Sequence, residues 1–93
     1  MAQFTVRIEL HRANQDDYDA LHSAMKEEGF SRQVKSSDGT LYHLPTAEYN
    51  RRSNKTKDQM RDSAAAAAST TGKEYGIIVT ESAGRSWQGL KKV

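Results

Sequence analysis

A chain of 93 residues with a net charge of +2 is long enough for one domain with a small core. It contains no cysteine, which excludes disulfides, thiolate nucleophiles and cysteine-ligated zinc. The mean hydropathy is −0.86, and no apolar run approaches the roughly 20 residues of a membrane-spanning helix. The N-terminus lacks the basic and apolar regions of a signal peptide, so we expect a cytoplasmic protein.

The first two elements are a strand and a helix. Residues 4–10 alternate strictly between apolar and polar side chains, which predicts a half-buried strand. Asn14 is a good helix N-cap, and apolar residues then recur at spacings of three and four. Gly29 can end this helix, which we place over 15–28.

A hairpin follows the first helix. Alternating side chains over 30–34 predict a short strand, and the Asp-Gly pair at 38–39 predicts a tight turn. Residues 40–49 should then return antiparallel to that strand. Pro45 cannot donate a hydrogen bond to a strand ladder, so we expect a bend there.

A second helix and a last strand complete the pattern. Thr56 or Asn54 can cap a helix that runs to about Ala68, because alanine has the highest helix propensity. The alternative interpretation of the alanine run is a flexible linker. The β-branched run over 75–81 predicts a strand with partial burial on both faces.

The order strand, helix, strand, strand, helix, strand is that of a ferredoxin-like βαββαβ sandwich. Right-handed crossovers would place both helices on one face of a four-stranded antiparallel sheet. The chain is therefore predicted to be one α+β domain over 1–93. Residues 82–93 form a C-terminal tail or an extra edge segment anchored by Trp87. An edge strand and a thin core favour a homodimer.

Histidine and arginine side chains are the candidates for chemistry. If the third strand lies beside the first, His43 can share the polar sheet face with Arg7 and His11, while Tyr42 enters the core. Such a set could cleave RNA without a metal ion. One group would deprotonate the ribose 2′-hydroxyl, another would protonate the leaving oxygen, and arginine would stabilise the phosphorane. The alternative is an ordinary solvated sheet face with mixed charges.

Basic side chains beside aromatic ones suit single-stranded RNA, in which bases stack and phosphates pair with cations. The predicted RNA-binding residues are Arg32, Arg51, Arg52 and Lys55. A solvated basic loop is the alternative, and Trp87 could instead fill a core or an interface. Neither a metal-ligand spacing nor a phosphate-binding glycine loop is present, so we expect no metal and no cofactor.

Three segments of the chain resemble a known family. They are the helix and its exit from Tyr18 to Phe30, the turn at 37–40, and the run from Leu44 to Tyr49. In these segments the chain resembles the GhoS-like proteins, the antitoxin endoribonucleases of type V toxin–antitoxin systems. The resemblance implies a ferredoxin-like fold and cleavage of single-stranded toxin mRNA, but it supplies no catalytic residue. The alternatives are a small non-enzymatic dimer that binds RNA or protein, and an accessory protein that docks on a larger assembly.

Overall fold

The computed structural model describes residues 1–93 as an α+β arrangement with two helices and two antiparallel sheets. In chain order the elements are β1 (Ala2–Leu10), α1 (Gln15–Glu27), β2 (Gln33–Lys35), β3 (Leu41–His43), β4 (Glu48–Ser53), α2 (Lys57–Ser69) and β5 (Tyr75–Glu81). Strands β4, β1 and β5 form one sheet in that order, and β2 pairs with β3 in the other. The predicted first strand, last strand and both helices are confirmed.

The structure has two sheets where the sequence predicts a single four-stranded one. The predicted strand over 40–49 is interrupted at its centre, where Pro45 lacks an N–H and Ala47 adopts a φ of 68°. Because of this break, β3 belongs to the hairpin with β2, while β4 joins β1. The two sheets meet at an isolated antiparallel bridge between Ser31 and Asn50.

The core lies between the three-stranded sheet and the two helices. The alternation in β1 buries its apolar face, as predicted, and both helices contribute side chains to the same cluster. Three alanines of α2 are buried, which brings that helix close to the sheet and excludes the linker interpretation. The cluster comprises Phe4, Val6, Ile8, Leu10, Leu21, Met25, Phe30, Tyr49, Met60, Ala64, Ala67 and Ala68.

Both helices begin with reciprocal side-chain caps. The Asn14 side chain accepts from the backbone N–H of Asp17, and the Asp17 carboxylate accepts from the backbone N–H of Asn14. Thr56 and Gln59 make the same pair of hydrogen bonds at the start of α2, so Thr56 is the cap. Neither helix is long and apolar enough to cross a membrane.

Strand β5 is buried on one face. Ile77 and Val79 pack against the core, whereas the side chain of Ile78 lies on the opposite face and is 63% exposed. The expected burial on both faces is therefore wrong. We call the sheet face opposite the helices the open face.

The tail over 82–93 crosses the open face and reaches the hairpin. Its backbone is tied to β1 where the Ser82 N–H donates to a carbonyl oxygen of that strand. Further on it runs beside β3, where the Lys91 carbonyl accepts from the His43 N–H at 2.8 Å. Between these points Trp87 meets Tyr42, which is half-buried beside the tail and is not part of the main core cluster.

Candidate functional site

A cleft of about 860 Å³ opens between α1, the hairpin and the tail, and we call it the histidine cleft. Two imidazoles line it, those of His22 and His43. Three cationic side chains line it as well: Lys26, Arg32 and Lys91. No aspartate or glutamate is among its lining residues, so the cleft is suited to an anion.

Local sequence places these side chains. His22 and Lys26 are four residues apart, so they lie on the same face of α1. Their neighbours Leu21 and Met25 are buried, which turns the adjacent stripe of the helix towards the cleft. The segment after α1 supplies Arg32, the hairpin strand β3 supplies His43, and the tail supplies Lys91.

A hydrogen bond fixes the imidazole of His22. Its Nδ1 lies 2.6 Å from the hydroxyl oxygen of Tyr49, a residue of β4 that is fully buried opposite Val6. A tyrosine hydroxyl both donates and accepts, so it can hold the imidazole whether or not Nδ1 carries a proton. Nε2 of His22 makes no hydrogen bond within the protein and remains available to a ligand.

The surroundings determine the protonation of both partners. Burial lowers the pKa of His22, the positive charge of Arg32 lowers it further, and Asp19 acts in the opposite direction. Burial raises the pKa of Tyr49 well above its ordinary value. At neutral pH the pair is therefore a neutral imidazole held by a protonated hydroxyl.

Of the predicted site residues, His43 and Arg32 line the histidine cleft. Arg7 lies in β1 opposite Ile78 of β5, and His11 follows β1 with its Nδ1 3.6 Å from a carboxylate oxygen of Glu9. Because β3 pairs with β2 and not with β1, the structure does not bring His43 beside Arg7 and His11.

The other predicted RNA-binding residues lie outside the cleft. Arg51 donates from Nη1 to the Glu28 carbonyl at 2.7 Å, and its guanidinium lies over the Phe30 ring at 5.4 Å from the centroid. These contacts tie the end of α1 to β4. Arg52 is exposed on the open face, and Lys55 is exposed in the connection between β4 and α2.

Sequence reasoning missed His22. Its partner Tyr49 is 27 residues away, and no local pattern joins a helical histidine to a strand tyrosine. The spacing of His22 and Lys26, followed by Arg32, was the available signal, because it places cationic groups along one side of the helix and its exit.

The structure contains no group of three or more histidine, aspartate or glutamate side chains placed to hold a metal ion. In comparisons with known proteins, no protein-family model and no curated protein matches this chain.

Proposed function

We propose that the chain is a metal-independent endoribonuclease of the GhoS-like type, which cleaves single-stranded RNA, such as a toxin mRNA, in the histidine cleft. One observation carries the proposal: two imidazoles and a guanidinium line one cleft that has no carboxylate. These groups can move the two protons of RNA cleavage and compensate the charge on the phosphate. His43 keeps the catalytic role expected from the sequence, and His22 replaces His11. Arg32, which the sequence analysis expects to bind RNA, replaces Arg7 as the catalytic arginine.

The lowered pKa of His22 assigns the two proton transfers, because it makes that imidazole the base. The neutral imidazole of His22 takes the proton of the ribose 2′-hydroxyl at Nε2, and the 2′-oxygen attacks the phosphorus. The bond from phosphorus to the 5′-oxygen breaks, and His43, the other imidazole of the cleft, gives a proton to that oxygen. The products are a 2′,3′-cyclic phosphate and a 5′-hydroxyl.

The remaining groups of the cleft bind and orient. Arg32 compensates the negative charge that develops on the phosphorane oxygens, where a planar guanidinium fits two oxygens at once. Lys26 and Lys91 bind neighbouring phosphates of the RNA strand. Tyr49 keeps the His22 ring in one orientation while that ring gains and loses a proton.

We also infer that the two sheets together correspond to the ferredoxin-like arrangement, with its third strand broken at Pro45. The bridge between Ser31 and Asn50 supports this assignment, because it places the strand after α1 beside β4. In this arrangement the break forms part of the wall of the histidine cleft, since Pro45 and its neighbours line it.

The proposal is tested with pure protein and labelled single-stranded RNA in EDTA. We expect products that end in a 2′,3′-cyclic phosphate, and no cleavage of the same RNA with 2′-deoxy sugars. His22→Gln and His43→Gln should each lower the rate by about 10²-fold or more, because each removes a proton-transfer group. His11→Gln is the matched control, a histidine outside the cleft, and should keep full activity.

Other outcomes distinguish the alternatives. Salt-sensitive RNA binding without products would replace the enzyme with a non-enzymatic binding module. Loss of cleavage in His11→Gln and Arg7→Ala, with full activity in His22→Gln, would move the site to the open face. Absence of RNA binding even at low salt would favour the accessory protein.

A further inference from the structure

A second cavity, of about 440 Å³, lies on the other side of the hairpin from the histidine cleft. Adjacent strand residues point to opposite faces, so His43 lines the cleft while Tyr42 lines this cavity. Its other principal side chains are those of Trp87, Lys35 and Arg85. As in the cleft, no carboxylate is among the lining residues.

An aromatic pair forms the apolar part of the cavity. The rings of Tyr42 and Trp87 are 5.7 Å apart between centroids and inclined at 63°, so they meet edge to face. This contact occupies one ring face, and both side chains stay half-exposed. An aromatic surface therefore remains open for a flat ligand to stack on.

Cationic groups lie beside this aromatic surface. Arg85 is held by its Nη1, which donates to Asn50 Oδ1 at 3.0 Å and to Thr5 Oγ1 at 3.3 Å. Arginine has five N–H donors, so others remain for a ligand. Lys35 is exposed at the end of β2 and adds a second positive charge.

We propose that this cavity binds one unpaired nucleobase of the RNA together with its phosphate. The inference depends on the proposed function in one respect, namely that RNA is the ligand. A base would stack on Trp87 or Tyr42, and its phosphate would pair with Lys35 or Arg85. An aromatic side chain of a peptide would use the rings but would leave both cations without a partner.

Trp87 is the sole tryptophan, so its fluorescence reports on this cavity alone. The probe is a 2′-O-methyl adenosine hexamer, which cannot be cleaved because it lacks the 2′-hydroxyl. We expect a saturable change in Trp87 emission, and about tenfold weaker binding of an abasic hexamer with the same phosphates. Tyr42→Leu should weaken binding of the base-bearing hexamer by about tenfold as well.

Matched variants separate binding from folding. Tyr75→Leu changes an exposed tyrosine of β5 outside the cavity and should bind the hexamer like the wild type. Lys35→Ala removes an exposed cation without touching the tail, so it should weaken binding even if Tyr42→Leu disturbs the tail. Equal binding of the abasic and base-bearing hexamers, or no change in Trp87 emission at saturation, would overturn the base site.

The outcome is independent of the cleavage test. RNA cleavage in the histidine cleft without any response of Trp87 would remove the base site and leave the endoribonuclease. In the opposite case, the wild type cuts no RNA, but the hexamer still changes Trp87 emission in both the wild type and His22→Gln. That result would keep the base site and remove the catalysis.

Discussion

The hydroxyl of Tyr49 has a single hydrogen-bond partner, the imidazole of His22. The tyrosine is fully buried, so a phenylalanine in its place would fill the same space and remove that one interaction. The contact joins the side of α1 that lines the histidine cleft to a strand of the central sheet. Its loss can therefore be read both in stability and in the orientation of the imidazole.

Tyr49→Phe should lower the free energy of unfolding by about 1 kcal/mol, the usual contribution of such a hydrogen bond. It should also slow RNA cleavage, because the His22 ring is no longer held. Urea denaturation and cleavage rates in EDTA measure the two effects. Tyr18→Phe is the control: its hydroxyl accepts from the Leu10 N–H at 3.1 Å and donates to the Leu10 carbonyl at 3.4 Å, away from the cleft. We expect a similar loss of stability there with unchanged cleavage, and equal cleavage losses in both variants would contradict the role of Tyr49.

The lowered pKa of His22 predicts a dependence of stability on pH. The unfolded chain titrates this imidazole near pH 6.5, whereas the folded chain keeps it neutral to lower pH. Below pH 6.5 the unfolded state therefore binds more protons at this site, and stability falls as the pH falls. Thermal unfolding at pH 7.5 and pH 5 should show a drop in Tm that is smaller in His22→Gln.

The pKa of Asp38 is also shifted, but its effect on stability lies below pH 5. Hydrogen bonds from Ser36 and Thr40 lower the pKa of Asp38 from 3.8 to about 2. Its contribution to stability is present above pH 3.8 and is lost as the pH falls towards 2, so it does not overlap with the His22 effect.

An identical drop in Tm between pH 7.5 and pH 5 in wild type and His22→Gln would contradict the assignment to His22.

At the scale of elements, β5 presents a free edge. The carbonyl of Glu74 and the N–H of Ser82 form hydrogen bonds with the β1 side of the sheet. The direction of these backbone groups alternates along a strand, so the even-numbered residues between them also point towards β1. The N–H and C=O groups of Tyr75, Ile77, Val79 and Glu81 consequently point away from the sheet. The outer edge of β3 in the hairpin is not free, because the tail forms backbone hydrogen bonds with it.

This edge is complementary to a second copy of itself. If two β5 strands pair antiparallel about Ile78, the outward groups of Ile77 meet those of Val79, and Tyr75 meets Glu81. Ile78 then lies opposite its own copy on the open face, and no two carboxylates face each other. We expect the homodimer that the sequence predicts to use this edge.

Charged substitutions at Ile78 test the register. Ile78→Lys and Ile78→Glu each place like charges opposite one another, so each variant alone should be monomeric in analytical ultracentrifugation. Mixed together, the two variants should form a heterodimer, because opposite charges then face across the axis. A monomeric wild type, or dimers of either variant alone, would contradict pairing at this edge.

At the scale of the whole molecule, the features predictable from sequence are the local ones. The alternation in β1 and the caps at Asn14 and Thr56 depend on neighbouring residues, and those elements are confirmed. The division into two sheets was not predicted, since a proline indicates a bend but not that the strand will change partner. The pairing of His22 with Tyr49 depends on how α1 packs on the sheet, which no spacing in the sequence encodes.

The burial of three alanines in α2 restricts the changes in length that the alanine run can accept. Added residues are tolerated best in exposed loops, where no packed contact depends on their number. Here Ala64, Ala67 and Ala68 face the core while Ala66 is exposed. One added alanine would turn every later residue of the helix by about 100° and move it about 1.5 Å along the axis. The run is therefore constrained in its number of residues even though its composition is the simplest in the chain.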